Sequence, residues 1–252
     1  MGELLSLRGV SKSFVRGGRP LPVLGDVSLE VAAGEIVAVE GSRYSGKTTL
    51  LRVAAGIVCP DQGEVWFGGR ELTGLADARR ERLLGFEVAW TDREGPGTRL
   101  KVRDAVGLPL MLGRGKREAR RLAEEALERV GVADCAGQRW GDLSYYERVL
   151  AGLGRGIAGR PRLLVIDDLL DALGLRRTLE VGELLRSLVA ELGCGLLMSV
   201  SDLGTALVAD RVWSLRRGAL TLISDQAGVT DAEIIDFPEA ARRGVDSRGV
   251  GS

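Results

Sequence analysis

The sequence predicts an α/β fold with a largely parallel sheet, and three observations carry that expectation. Short apolar runs of strand length alternate with longer amphipathic segments. A glycine-rich loop at residues 41–48 stands between an apolar run and a helix-like run. A further apolar run at residues 163–166 ends in two aspartates, Asp167 and Asp168.

Taken in order, the chain opens β-rich. Strands are expected over residues 4–7, 27–31, 35–40 and 64–67, punctuated by Gly17-Gly18, Gly34 and Gly68-Gly69. A helix should open at the glycine-rich loop and run through Leu51 towards Ala55, and a strand is expected over residues 85–89. From about residue 100 to 142 the reading turns helical. Residues 103–112 and 116–130 carry apolar side chains at three- and four-residue spacing with charges between them. The alternation then resumes with a helix through Arg155, a strand at 163–166, a helix near 175–192, a strand at 195–200 and a last pair at 211–215 and 219–223. One domain is expected over residues 1–235, with a helical insertion at about 100–142. Residues 236–252, polar and without period, read as a loose tail.

Bulk composition removes several classes of function. Lysine plus arginine and aspartate plus glutamate each count 35, so there is no basic excess to suggest a nucleic-acid partner. Histidine is absent, which excludes Ser-His-Asp and Cys-His hydrolases and most zinc chemistry. Cys59, Cys135 and Cys194 are too scattered for a metal site or a disulfide framework, and a reducing cytosol suits them. No signal-peptide pattern is visible, and no apolar run approaches the ~18 residues of a membrane span. The arginine runs at 79–82 and 117–121 are interleaved with acids and read as solvated helix faces.

Residues 41–48 read Gly41, Ser42, Arg43, Tyr44, Ser45, Gly46, Lys47 and Thr48, the pattern of a phosphate-binding loop. Such a loop wraps backbone amides around phosphates, which requires glycine where side chains would collide. The lysine reaches the β and γ phosphates, and the Thr48 hydroxyl ligates magnesium. Thr49 continues the helix start. A carboxylate at the end of a neighbouring strand completes a magnesium shell, and Asp167 supplies one about 120 residues downstream.

With these residues in place, the chain resembles the ATP-binding-cassette (ABC) transporter family, a branch of the P-loop NTPases, over nearly its whole length. Phe14 stands where that family stacks adenine, although a core position explains it equally well. Leu143, Ser144, Tyr145, Tyr146 and Glu147 occupy the place of the family's signature, usually Leu-Ser-Gly-Gly-Gln or Leu-Ser-Gly-Gly-Glu. Arg155 and Pro161 fall at the family's intervals before Asp167. The look of residues 23–29 is similar to the lipoprotein-release and macrolide-export branch. The resemblance implies a P-loop fold with a β-rich amino-terminal subdomain, a parallel core and an inserted helical subdomain. It also implies Mg-ATP as ligand, a transmembrane permease as partner, and a second cassette paired head to tail.

Departures from the family pattern are equally specific. The glutamate that orients the attacking water is Asp168 here, one methylene short, and a ~1 Å misplacement can cost about a hundredfold in rate. Ser201 stands at the switch histidine. Ala89 or Trp90 stands at the glutamine that contacts magnesium, and Trp90 suits either a membrane-partner contact or packing beneath the helical subdomain. Tyr145 and Tyr146 replace the signature glycines, crowding the partner's nucleotide or forming an aromatic partner surface. Tyr44 replaces a common loop glycine, and Glu40 puts a negative charge just before the loop. Binding positions Lys47, Thr48 and Asp167 remain. The expected function is an ATP-binding transporter subunit with weak or absent hydrolysis, peripheral on the inner face of the plasma membrane, with a heterodimer favoured. A regulatory or scaffold subunit that does not pump is the alternative. A DNA-repair type of ATPase ranks last, since long heptad-patterned arms are missing.

Overall fold

The computed structural model describes residues 3–85 and 87–225. The expected tail at 236–252 therefore lies outside the described residues. Two sheets organise the chain. Strands β1 (Glu3–Arg16) and β2 (Arg19–Ala32) form a long antiparallel hairpin, joined by β4 (Gln62–Phe67) and β5 (Arg70–Glu71) in the order β2-β1-β4-β5. The hairpin turn is Gly17-Gly18, with φ of 59° and 74°. Both residues need positive φ for a tight turn matching the strand twist, and glycine adopts it without a Cβ clash. The hairpin outruns the expected strands at 4–7 and 27–31, because its tip leaves Phe14, Val15 and Leu21 exposed and lacks the buried apolar alternation that marks the base.

The second sheet has the order β10-β9-β3-β8-β7-β6. Strands β3 (Ile36–Glu40), β6 (Val88–Asp92), β7 (Leu163–Asp167), β8 (Gly195–Val200) and β9 (Arg211–Arg216) run parallel. The edge strand β10 (Ala219–Asp225) pairs antiparallel with β9. Central strands are apolar along most of their length because both faces are covered, with polar Glu40, Asp167 and Ser199 near their carboxyl ends. Val37, Val39, Leu163, Val165 and Leu197 join the core shared with the hairpin sheet and helix α1 (Lys47–Ala54). Their alternates Ile36, Ala38, Leu164, Ile166, Leu196 and Met198 join the core under helices α5 (Tyr145–Ile157) and α6 (Leu175–Leu192).

Between β6 and β7 the chain is helical. Helix α2 (Asp77–Leu84) precedes β6; α3 (Val102–Gly107), α4 (Met111–Arg129) and α5 follow it. Helix α4 breaks at Gly115, whose φ of 74° is non-helical, so the helical runs expected at 103–112 and 116–130 meet at a real kink. Arg120 on α4 grips Asp104 on α3 through Nε at 2.6 Å and Nη2 at 3.1 Å. The strand expected over residues 85–89 lies three residues later. Its parallel register sets Ala89 opposite Leu164 and Asp92 opposite Asp167. Among the described residues, no helix is long and apolar enough to cross a membrane.

Candidate functional site

Four parallel strands bring their carboxyl ends to one edge, where an α/β sheet opens a crevice. Glu40, Asp92, Asp167 and Ser199-Val200 stand there. The loop after β3 turns back into α1 through Gly46, at φ 106°, where a Cβ would stand 3.0 Å from Val23 Cγ1 and 3.1 Å from Val23 O. No side chain caps α1 and no acid lies in its first turn, so its leading amides are left for an anion.

Lys47 is buried beneath the loop, donating from Nζ to Gly41 O at 2.6 Å and Ser42 O at 3.4 Å. Ser45 Oγ is buried with no hydrogen-bond partner. A Cβ at Gly41 would meet that oxygen at 2.5 Å and Leu215 O at 2.9 Å. An unpaired buried hydroxyl, a buried ammonium and bare helix amides make a set that suits a phosphate. Tyr44 adopts φ 65° and is 91 % exposed, with the Arg43 guanidinium 5.1 Å from its ring centre. Arg43 and Tyr44 thus flank the cradle and leave its floor open.

Thr48 Oγ1 donates to Asp167 Oδ1 at 3.2 Å, joining residues 119 apart in sequence. Burial pushes the Asp167 carboxyl above its usual range; bonds from Ser199 and Thr48 oppose that rise, and the charge of Asp168 adds to it. Such a carboxylate favours a cation beside it. Asp168 follows in the left-handed region, φ 50°, which turns its amide onto Ser199 Oγ at 2.8 Å. Its Oδ1 lies 3.1 Å from the same hydroxyl.

Ser201 does not stand free at the crevice. Its amide donates to Asp171 Oδ1 at 3.2 Å and its hydroxyl to Asp171 Oδ2. Tyr145 OH donates to Leu169 O at 3.3 Å and to Asp171 O. Asp171 therefore ties the start of α5 to the loops after β7 and β8. Both signature-position tyrosines fold back on their own core, and the Tyr146 ring lies 4.7 Å beneath the Arg177 guanidinium. Ser144 is the N-cap of α5, accepting from Glu147 N at 3.3 Å while Glu147 Oε2 accepts from Ser144 N at 2.7 Å. Ser144 remains exposed, and the first turn of α5 behind it is half-buried.

Phe14 is 42 % exposed on the hairpin, with Lys12 Nζ 5.6 Å from its ring, so a core role is removed. Trp90 lies inside β6 and packs into the core between the sheets, and its indole N–H donates to Asp92 Oδ2 at 2.9 Å. Glu40 is buried, and Ser214 Oγ at 3.0 Å and Arg216 Nη2 at 2.9 Å answer its charge within the sheet. Sequence reasoning missed Ser199 and Asp171. A lone serine inside the apolar run Leu196–Val200 was the available signal for the first; nothing in the local pattern marked the second.

Known proteins agree with this architecture. A family model described as ABC transporter matches residues 24–170. The lipoprotein-releasing system ATP-binding protein LolD of Pseudomonas fluorescens is 32 % identical over 225 residues, spanning 87 % of this chain and 98 % of that protein. The methionine import ATP-binding protein MetN of Myxococcus xanthus is 35 % identical across 90 % of this chain and 69 % of its own length. Among solved structures, the dimeric structure of a bacterial ABC transporter cassette aligns with a TM-score of 0.81 at 23 % identity, covering 90 % of this chain and 100 % of that one, a likeness of fold.

Proposed function

The chain belongs to the ABC transporter family, and from that premise we propose that it is an ATP-binding subunit that binds Mg-ATP to drive or regulate a separate membrane permease, with weak or absent hydrolysis of its own. The carrying observation is the convergence of Lys47, Thr48 and Asp167, with Thr48 Oγ1 3.2 Å from Asp167 Oδ1. When bound, magnesium would supply charge neutralisation between the β and γ phosphates. Thr48 and Asp167 are the residues to hold it, Lys47 and the α1 amides hold phosphate, and the open ring of Phe14 is placed to stack a base.

Weak hydrolysis is supported by what the chain's own groups are doing. Asp168 is short by a methylene and held at Ser199, and Ser201 is held at Asp171. The partners of both lie within the protein. Lacking a spanning helix among its described residues, the subunit would sit on the inner face of the plasma membrane through its permease, paired with a second cassette. Loss of hydrolytic groups favours a heterodimer with an intact partner. A regulatory role without pumping is the second reading, favoured by the same held groups.

Two measurements on the purified chain test the binding and hydrolysis claims. Mg-ATP binding should be lost in Lys47→Ala; equal millimolar binding by both proteins would overturn the reading. ATP turnover should stay near background. A rate typical of transporter cassettes, abolished by Asp168→Asn, would refute the hydrolytic defect while leaving ATP binding in place. Reconstitution with the permease then separates pumping from signalling.

A further inference from the structure

Ser199 is a buried polar side chain, 1 % exposed, in a strand otherwise made of Gly, Leu, Met and Val. It stands beside Val39 of β3 and on the face of the sheet that carries Leu197, Val165 and Asp167. A buried hydroxyl costs about 1–3 kcal/mol unless it is bonded. The groups that bond Ser199 are the two acids of the site. Its Oγ lies 2.8 Å from Asp167 Oδ1 and 3.1 Å from Asp168 Oδ1, and it accepts the Asp168 amide at 2.8 Å.

A hydroxyl carries one proton and can satisfy one carboxylate at a time. The nearer oxygen, on Asp167, takes it. Asp168 is then held through its own amide, with its Oδ1 3.1 Å from the same hydroxyl. Thr48 and Ser199 both bond Oδ1 of Asp167, and Oδ2 accepts no hydrogen bond among the described residues. One oxygen is pinned and the other is left to a ligand.

We propose that Ser199 is a positioning residue of the magnesium site: its hydroxyl orients Asp167 so that one carboxylate oxygen is presented to the cation, and it keeps Asp168 gathered beside it. The proposal rests on the Mg-ATP reading. An outer hydrogen-bond partner of a metal-binding carboxylate typically changes metal affinity by about ten- to a hundredfold, so the effect is measurable without any turnover.

The test titrates magnesium chloride into full-length protein with a fluorescent ATP analogue, and repeats the binding in EDTA. Ser199→Ala should raise the magnesium concentration at half-effect by about tenfold while leaving metal-free nucleotide binding unchanged. Ser199→Thr should restore the wild-type midpoint. Ser199→Cys, close in size and a poor donor, should behave as the alanine variant and covers the case in which alanine prevents folding. Equal magnesium midpoints for wild type and folded Ser199→Ala or Ser199→Cys overturn the proposal alone. So does an equal loss in EDTA, which marks a purely structural residue. Wild-type binding that ignores magnesium overturns the Mg-ATP reading and this proposal together.

Discussion

At the residue scale the site depends on side chains that are missing as much as on those present. Gly41 has no room for a methyl group between Ser45 Oγ and Leu215 O. Gly41→Ala must therefore move the loop, even though the substitution adds no charge. Losing one amide bond to a charged phosphate costs about 1.5–3 kcal/mol, or about ten- to a hundredfold in Kd. Fluorescence titration with an ATP analogue should show that loss with little change in melting temperature. Ser144→Ala makes the opposite case, since it removes a capping box at an exposed N-cap. It should cost about 1 kcal/mol of stability, seen in denaturant unfolding, without touching nucleotide binding to the isolated chain. Ser199 and Ser201 show how one residue type is given its task by its neighbours. Two serines two positions apart point to different acids, Ser199 to the pair at the end of β7 and Ser201 to Asp171.

Between elements, a few polar links add to the shared apolar core. The Arg120–Asp104 pair joins α4 to α3, and the Arg120 bond holds the Asp104 carboxyl below its ordinary range. An acid whose folded pKa is depressed contributes stability above its unfolded pKa, ~3.9, and loses it as pH falls through the folded value. Wild type should therefore lose an increment of melting temperature below about pH 4 that Asp104→Asn does not have to lose. The pair is partly exposed, with side chains 36 % and 22 % accessible, so the increment should be at most ~1 kcal/mol and shrink in high salt. Tyr145 is the stronger link, since its hydroxyl bridges the start of α5 to the carbonyls of Leu169 and Asp171. Tyr145→Phe should cost ~1 kcal/mol and speed amide exchange in the loop after β7, measurable by hydrogen–deuterium exchange.

Across the whole molecule, chemistry gathers where the parallel strands end, and the antiparallel hairpin sheet and helical segment frame that edge. Much of this was legible in the sequence. Period and punctuation marked the glycine-rich loop, the apolar strand before Asp167 and the two helical runs at 103–112 and 116–130, because each rests on local rules of backbone and burial. The full hairpin was not legible, since its exposed tip carries no apolar alternation. Nor was the position of β6, expected over residues 85–89, since pairing with β7 places it at Val88–Asp92. The sequence by itself determined the fold class and the phosphate cradle, both written in contiguous residues. Only the tertiary structure decided that Ser199 and Thr48 meet at one oxygen of Asp167, and that Asp171 holds Ser201 and Tyr145. Those bonds join strands and loops far apart in the chain, and the register that brings them within 3.2 Å is set by packing of the whole sheet rather than by any local pattern.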